Sequence, residues 1–341
     1  MIAVVLAVRN GNRTLPAVLG RHVALLPAPV PHRLFAVDNG STDGTASILR
    51  AALGSLPLTL LHAPEPGKNR ALNIALSEAL AGADLVVFTD DDALPEPDWL
   101  RRLWEAALAR PGYAIFGGAI RPRWPAPPPR WLFDWGVPLG VVYAATDKPE
   151  GPVGADNVWG PNMAVRGAVL RQGHRFDESV GPDGTALYAM GSETEFTVRL
   201  ERAGHRAWFV ADAVVEHMVR PEQMAEEWVL SRAYRHGRGV YRYTPPPRSR
   251  LASIGGVPVE MALRRAAYGA AARFARRTLA PSARRFWWIW KAEWLRGASE
   301  ALRDGVADPA PPSLASAPAE APPATGGMAS QAAAPKGTAA A

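Results

Sequence analysis

Three consecutive carboxylates, Asp90, Asp91 and Asp92, close the apolar, β-branched run of LVVFTDDDALPEPDWL. Like charges in a row repel one another and resist burial, so a chain that sets them at the end of a buried strand calls for a cation. Mg2+ and Mn2+ are hard ions that take oxygen ligands, one or two from protein carboxylates and the rest from phosphates and water. Alternate residues of an extended chain point the same way, so Asp90 and Asp92 can face one ion together. For an arbitrary DDD triplet, an exposed acidic turn closed by Pro95 would be the better explanation. What favours the ion is company. Each of four apolar runs ends in polar residues, VRN, DNGSTDGT, GKNRALN and DDD, and the strand ends of an open α/β sheet share one crevice.

Further polar residues fit that crevice. Asp38 ends the second run and suits a base N–H or a ribose hydroxyl, although a turn with Thr42 or Asp43 capping the next helix needs the same residues. Lys68 stands at a helix start, where a diphosphate is readily held; Asn73, just beyond it, also suits a solvated polar face. GSETEF places Glu193 and Glu195 in the first turn of a helix, where acids are favoured by the helix dipole with or without catalysis. His217 in VVEH is a third possible metal ligand, though a lone histidine more often packs in a core.

The elements that must position these side chains follow from periodicity. IAVVLAV, HRLFAVD, LTLLHA and LVVFT read as strands, separated by helical patterns near Thr14–Leu25, Thr42–Leu53 and Asn69–Leu80. This is the rhythm of an α/β domain with a mainly parallel sheet. EPDWLRRLWEAALAR reads as a helix, YAIFGGAI as a strand, and residues 121–158 as an irregular excursion rich in proline and aromatics. WGPNMAVR is expected to be a strand, SETEFTVRLERAG a helix ending at Gly204, RAWFV and AVVEH two short strands, and 221–238 a helix. The expected organisation is a catalytic domain over 1–245, a basic helical extension over 246–304 divided by Pro281, and a disordered low-complexity tail over 305–341.

Composition limits the chemistry. None of the 341 residues is cysteine, which excludes disulfides, thiolate metal sites and cysteine nucleophiles and fits a reducing, cytoplasmic setting. MIAVVLAV lacks a basic segment before it and a cleavage site after it, so it reads as a buried strand and not as a signal peptide. No run of eighteen apolar residues suggests a spanning helix. The net charge of +6 is concentrated where arginines crowd Arg264–Arg303, which points to an anionic membrane surface at the inner face of the membrane, and not to nucleic acid, as a partner. Trp287, Trp288, Trp290 and Trp294 in the same region suit the water–lipid boundary, or else a core.

Taken in order, VVLAVRNGNRTLPAVL, FAVDNGSTDGT, GKNRALNIAL, VVFTDDDALPEPDWL, WGPNMAVR and GSETEFTVRLERAGHRAWFVADAVVEH resemble the motifs of glycosyltransferase family 2 over about residues 2–245. The resemblance implies a GT-A fold and transfer of a sugar, with inversion, from a nucleotide-diphosphate donor to a saccharide or lipid-linked acceptor, with Mg2+ or Mn2+ as cofactor. It implies nucleotide-sugar contacts at Arg9, Asp38, Lys68, Asn73, Asp90 and Asp91, and metal ligation by Asp92, Asp90 and His217. Glu193 falls where the family has its catalytic base, with Ser192 in place of the usual preceding Glu and Glu195 as the alternative base. Trp159, Gly160, Asn162 and Glu195 fall on the acceptor side. The Gln-x-x-Arg-Trp motif of processive synthases is missing, so single transfers are expected. A sugar nucleotidyltransferase is the nearest rival, but RNGNRT poorly matches its glycine-rich loop; an inactive membrane-associated scaffold of the same fold is another.

Overall fold

A computed structural model describes residues 1–246 and 253–305. In chain order it runs β1 (Ile2–Val8), α1 (Leu15–Val23), β2 (His32–Asn39), α2 (Thr45–Ala52), β3 (Leu58–Ala63), α3 (Lys68–Ala79), β4 (Leu85–Asp90), β5 (Ala93–Pro95), α4 (Trp99–Ala109) and β6 (Ile115–Arg123). Then follow α5 (Trp131–Asp134), α6 (Leu139–Tyr143), β7 (Gly151–Val153), β8 (Met163–Arg166), α7 (Gly167–Leu170), α8 (Ser192–Arg202), β9 (Ala207–Met218) and α9 (Glu226–Gly239). A small hairpin leads into α10 (Val259–Thr278) and α11 (Ala283–Arg303).

One sheet organises the molecule, in the order β3-β2-β1-β4-β8-β6-β9-β5, with β7 also on β9. The first four strands are parallel, β8 is antiparallel to both its neighbours, and β6 and β9 are again parallel. The alternation of β1 builds two layers from one strand. Ile2, Val4, Leu6 and Val8 meet Leu15 of α1, Leu49 of α2 and Trp99 of α4. Ala3 and Val5 meet Leu72 and Leu76 of α3 and Phe196 of α8 on the other face.

Three expectations change. RAWFV and AVVEH are one strand, β9, whose register against β6 jumps from Gly118–Val210 to Ala119–Val214, so that residues 211–213 bulge. The polar interruption at Asp212 is absorbed as a bulge and does not end the strand. WGPNMAVR is a strand only from Met163, because Gly160–Asn162 forms a 3-10 turn around Pro161, which has no N–H to give a ladder. The excursion over 121–158 holds α5, α6 and β7.

The basic helices share a core with the rest. Phe286, Ile289 and Trp290 of α11 pack with Leu132, Tyr143, Val229 and Leu230. α9 and α11 cross at two glycines: a Cβ on Gly237 would lie 2.1 Å from the Trp294 carbonyl oxygen, and one on Gly297 would lie 2.1 Å from that of Tyr234. The four tryptophans divide accordingly. Trp290 is buried and Trp288 and Trp294 partly so, while Trp287 is 48% exposed. The low-complexity tail expected over 305–341 lies outside the described residues, apart from residue 305. No helix among the described residues is long and apolar enough to cross a membrane.

Candidate active site

The strand ends open into a cleft of about 520 Å3. Asp90 is the last residue of β4, and the chain then turns into β5, which pairs with β9 in the register Ala93–His217. That register sets His217 beside Asp92, with Nε2 3.0 Å from Asp92 Oδ1. The other ring nitrogen, Nδ1, lies 2.8 Å from the Tyr143 carbonyl of α6 and must donate to it. In the neutral ring Nε2 is then unprotonated, as a metal ligand has to be. One ligand atom each from Asp90, Asp92 and His217 lie within 4.8 Å of one another, so this donor set fits a hard divalent cation.

Lys68, the first residue of α3, ties the metal-side carboxylates to the next group. Its Nζ donates to Asp90 Oδ1 at 2.7 Å and to Glu193 Oε1 at 2.6 Å. Glu193 lies in the first turn of α8, and its Oε2 accepts from Ser192 Oγ at 2.7 Å. The backbone beneath it is Gly160, where a Cβ would fall 2.6 Å from Glu193 Oε1. Only glycine leaves the carboxylate this position. Thr89 Oγ1 donates to the Pro161 carbonyl at 3.1 Å, which fastens the Gly160–Asn162 turn to β4.

Charge in the cleft is uneven. Burial, reinforced by its neighbours Asp92 and Asp90, pushes the Asp91 carboxyl up to about 8. Burial also raises Asp90, against the pull of Lys68. Asp92 is held below the usual carboxylate range because His217 and Arg220 outweigh its burial, and Asp92 in turn raises His217 to about 9. Lys68 and Ser192 likewise hold Glu193 low against its burial, and the ammonium of Lys68 is raised by both carboxylates.

The cleft gathers Arg9, Lys68, Asp90, Asp91, Asp92, Trp159, Gly160, Glu193 and His217. Asp38, Asn73, Asn162 and Glu195 do not line it. Asp38 accepts from Ser41 N at 3.1 Å, the turn role, and the adjacent Asn39 lines the cleft instead. Asn73 clasps Phe176 through its backbone N–H and carbonyl, at 2.9 and 3.0 Å. Asn162 is wholly buried; it donates to the carbonyls of Ala119 and Ala213 and accepts from Trp99 Nε1. It satisfies backbone groups around the β9 bulge, leaving it no atom for an acceptor. Glu195 is buried against Arg199 at 2.7 Å, one turn along α8. Arg70 pairs with Glu65 and Glu178.

Sequence reasoning missed Arg220, Arg232 and His236, all of which line the cleft. Arg232 and His236 stand four residues apart in EEWVLSRAYRHGRG, so helical spacing alone could have put them on one face of α9.

Residues 4–166 match the family model described as Glycosyl transferase family 2. The chain is 23% identical over 188 residues to a glucosyl-dolichyl phosphate glucuronosyltransferase of Haloferax volcanii, covering 54% of this chain and 58% of that one. It is 26% identical over 210 residues to the succinoglycan biosynthesis protein ExoM of Rhizobium meliloti, covering 60% and 63%. The matched region thus spans about three fifths of each relative's length. Among solved structures, the mannosyltransferase PcManGT from Pyrobaculum calidifontis, in complex with GDP-Man and Mn2+, superposes with a TM-score of 0.56 at 22% identity, covering 89% of this chain and 87% of that one. The fold is GT-A, and residues 4–166 match glycosyltransferase family 2.

Proposed function

We propose that the protein is a metal-dependent, inverting, non-processive glycosyltransferase that moves a sugar from a nucleotide-diphosphate donor to a hydroxyl of a saccharide or lipid-linked acceptor. The observation that carries this reading is the Lys68 bridge, which holds a carboxylate of the metal set and the carboxylate of Glu193 within reach of one ammonium. Asp90, Asp92 and His217 would hold Mg2+ or Mn2+, which when bound serves as a Lewis acid on the departing diphosphate. Inversion in a single displacement needs a base on the face opposite the leaving group. Glu193, ionised under Lys68 and Ser192, takes the proton of the acceptor hydroxyl. The hydroxyl oxygen bonds to the anomeric carbon as the bond from that carbon to the diphosphate oxygen breaks. Lys68 supplies positive charge where the diphosphate departs. Arg9, Asn39, Asp91, Trp159 and Gly160 all line the cleft; in this reading the first three contact the donor and the last two the acceptor.

The names of the relatives support assembly of polysaccharide or lipid-linked sugar, and the PcManGT complex supports a nucleotide-sugar donor with a divalent ion. The family match favours this reading over a nucleotidyltransferase. A screen of nucleotide sugars for release of nucleotide diphosphate tests it: one sugar should turn over with Mn2+ and stop with EDTA. No turnover with any donor, in the presence of saccharide and lipid-linked acceptors, would leave the inactive scaffold as the better account.

A cytoplasmic location with peripheral docking on the inner face of the membrane completes the proposal. The outer faces of α10 and α11 support it. Leu263, Phe274 and Trp287 are exposed there, and Lys291 sits 4.5 Å over the Trp287 ring. Sedimentation with anionic vesicles should show binding that weakens with salt and with Trp287→Ser.

A further inference from the structure

Four arginines among the described residues keep a buried Nε with no hydrogen-bond partner: Arg101, Arg232, Arg238 and Arg242. Three have a carboxylate in ion-pair range, Asp98 for Arg101, Asp304 for Arg238 and Asp177 for Arg242. Arg232 has none among the described residues. Among the described residues its guanidinium reaches only Tyr188 Oη and the Val141 carbonyl, each at 3.4 Å, the outer limit of a hydrogen bond, and it lies 5.5 Å over the Trp228 ring. Burial disfavours its charge, yet a guanidinium cannot shed its proton in a protein. It lines the same cleft as Glu193, whose charge it feels.

Uncommitted donors surround it. Tyr188 Oη accepts from both Arg232 and Arg235, so its own proton is free to be donated. Trp294 Nε1, from α11, donates to His236 Nδ1 at 3.2 Å. Burial, with Arg232 and Lys291 nearby, lowers His236 to about 4, so the ring is neutral and its one proton sits on Nε2. That nitrogen is 3.2 Å from Tyr243 Oη and donates to it, which frees the Tyr243 hydroxyl proton as well. Tyr188 and Tyr243 both line the cleft. Here an unpaired cation and two hydroxyl donors meet, whereas the metal side of the cleft is crowded with carboxylates.

We propose that Arg232, with the hydroxyls of Tyr188 and Tyr243, forms a subsite for an anionic group of the acceptor, a phosphate or a carboxylate, next to the hydroxyl that Glu193 deprotonates. The assignment to the acceptor rests on the function proposed above: Gly191, two residues before Glu193, lies against the Tyr243 ring, where a Cβ would fall 2.9 Å from it, and Arg232 and Tyr188 line the same cleft. His236 and Trp294 are positioning residues: they fix the proton on Nε2 and so aim the Tyr243 hydroxyl outward. A planar guanidinium offers two parallel donors to either anion.

Calorimetry on the full chain, saturated with nucleotide diphosphate and Mn2+, tests this with three probes: glucose 1-phosphate, glucuronate and uncharged methyl glucoside. At least one charged probe should bind ten-fold or more tightly than methyl glucoside, and which one does identifies phosphate or carboxylate as the group. Arg232→Gln should erase that preference without changing nucleotide affinity, Arg232→Lys should restore part of it, and Tyr243→Phe should reduce it several-fold. Equal binding of all three probes, a preference that survives Arg232→Gln, or loss of nucleotide affinity in that variant would overturn the subsite. If Arg232→Gln fails to fold, wild-type charge preference and its response to Tyr243→Phe decide the matter. If no nucleotide diphosphate binds the wild type, the function proposed above fails, and the same probes titrated alone still report whether Arg232 selects anions.

Discussion

At the scale of single residues, the site depends on what each carboxylate touches. Glu193 and Glu195 are two positions apart in SETEF and have the same chemistry in sequence, so only the fold separates them. Glu193 faces the cleft, whereas Glu195 is 6% exposed and paired with Arg199. Glu195→Gln should therefore lower stability, by about 1–3 kcal/mol for a weakened buried pair, and change kcat less than ten-fold, as urea unfolding and steady-state assays would show. Gly160→Ala is the sharper substitution. Its Cβ would occupy the place of the Glu193 carboxylate, so kcat should fall by about 10²-fold or more while nucleotide affinity stays the same. Full activity in that variant would mean that Glu193 acts from another position. Asp90, Asp92 and Lys68 were legible because they stand at or beside the ends of elements that the sequence pattern marks clearly, and Glu193 through its place in the family's motif. Asn162 was misread because its true partners are carbonyls around a bulge, and nothing in WGPNM announces the bulge.

At the scale of elements, the first hundred residues were readable because each strand there is a continuous apolar run and each helix repeats at 3.6. β9 was not, since a bulged strand looks like two strands until its partner β6 is known. The relation of α11 to α9 was equally hidden, because small residues at a helix crossing carry no periodic signal. Gly237 and Gly297 let the two backbones touch, and α9 presents Arg232 and His236 to the cleft. Gly297→Val should drive the helices apart, lowering stability by about 1–3 kcal/mol and weakening acceptor use more than donor binding. Thermal unfolding together with separate KM values for donor and acceptor would check it. Unchanged stability would show that the crossing yields easily.

At the scale of the molecule, α11 buries Phe286, Ile289 and Trp290 beside the cleft, so cutting the chain at 245 should expose that cluster and yield insoluble protein. Membrane docking is better examined by point changes on the outer face, and Trp287 is the place to begin. Acid response is a second whole-molecule property. His22, buried against Trp99, is lowered to about 4 by burial with a contribution from His32. An unfolded chain takes up that proton below about 6.5, so His22 makes the fold less stable as pH falls from there towards 4, by up to about 1.4 kcal/mol per pH unit. The raised carboxyl of Asp91 works in the opposite direction over the same range, so the informative quantity is a difference between proteins. His22→Leu should gain stability relative to wild type between pH 7 and pH 5 in urea unfolding; a constant difference would contradict the assignment.

The central claim is that one cleft holds a metal site and a base with separate tasks, and a paired titration tests it most directly. Nucleotide-diphosphate affinity with Mn2+ and turnover are measured side by side for wild type, Asp92→Asn and Glu193→Gln. The geometry predicts that Asp92→Asn loses both, while Glu193→Gln keeps affinity within a few-fold and loses about 10²–10⁴ in turnover. Unchanged affinity in Asp92→Asn, or undiminished turnover in Glu193→Gln, would contradict it.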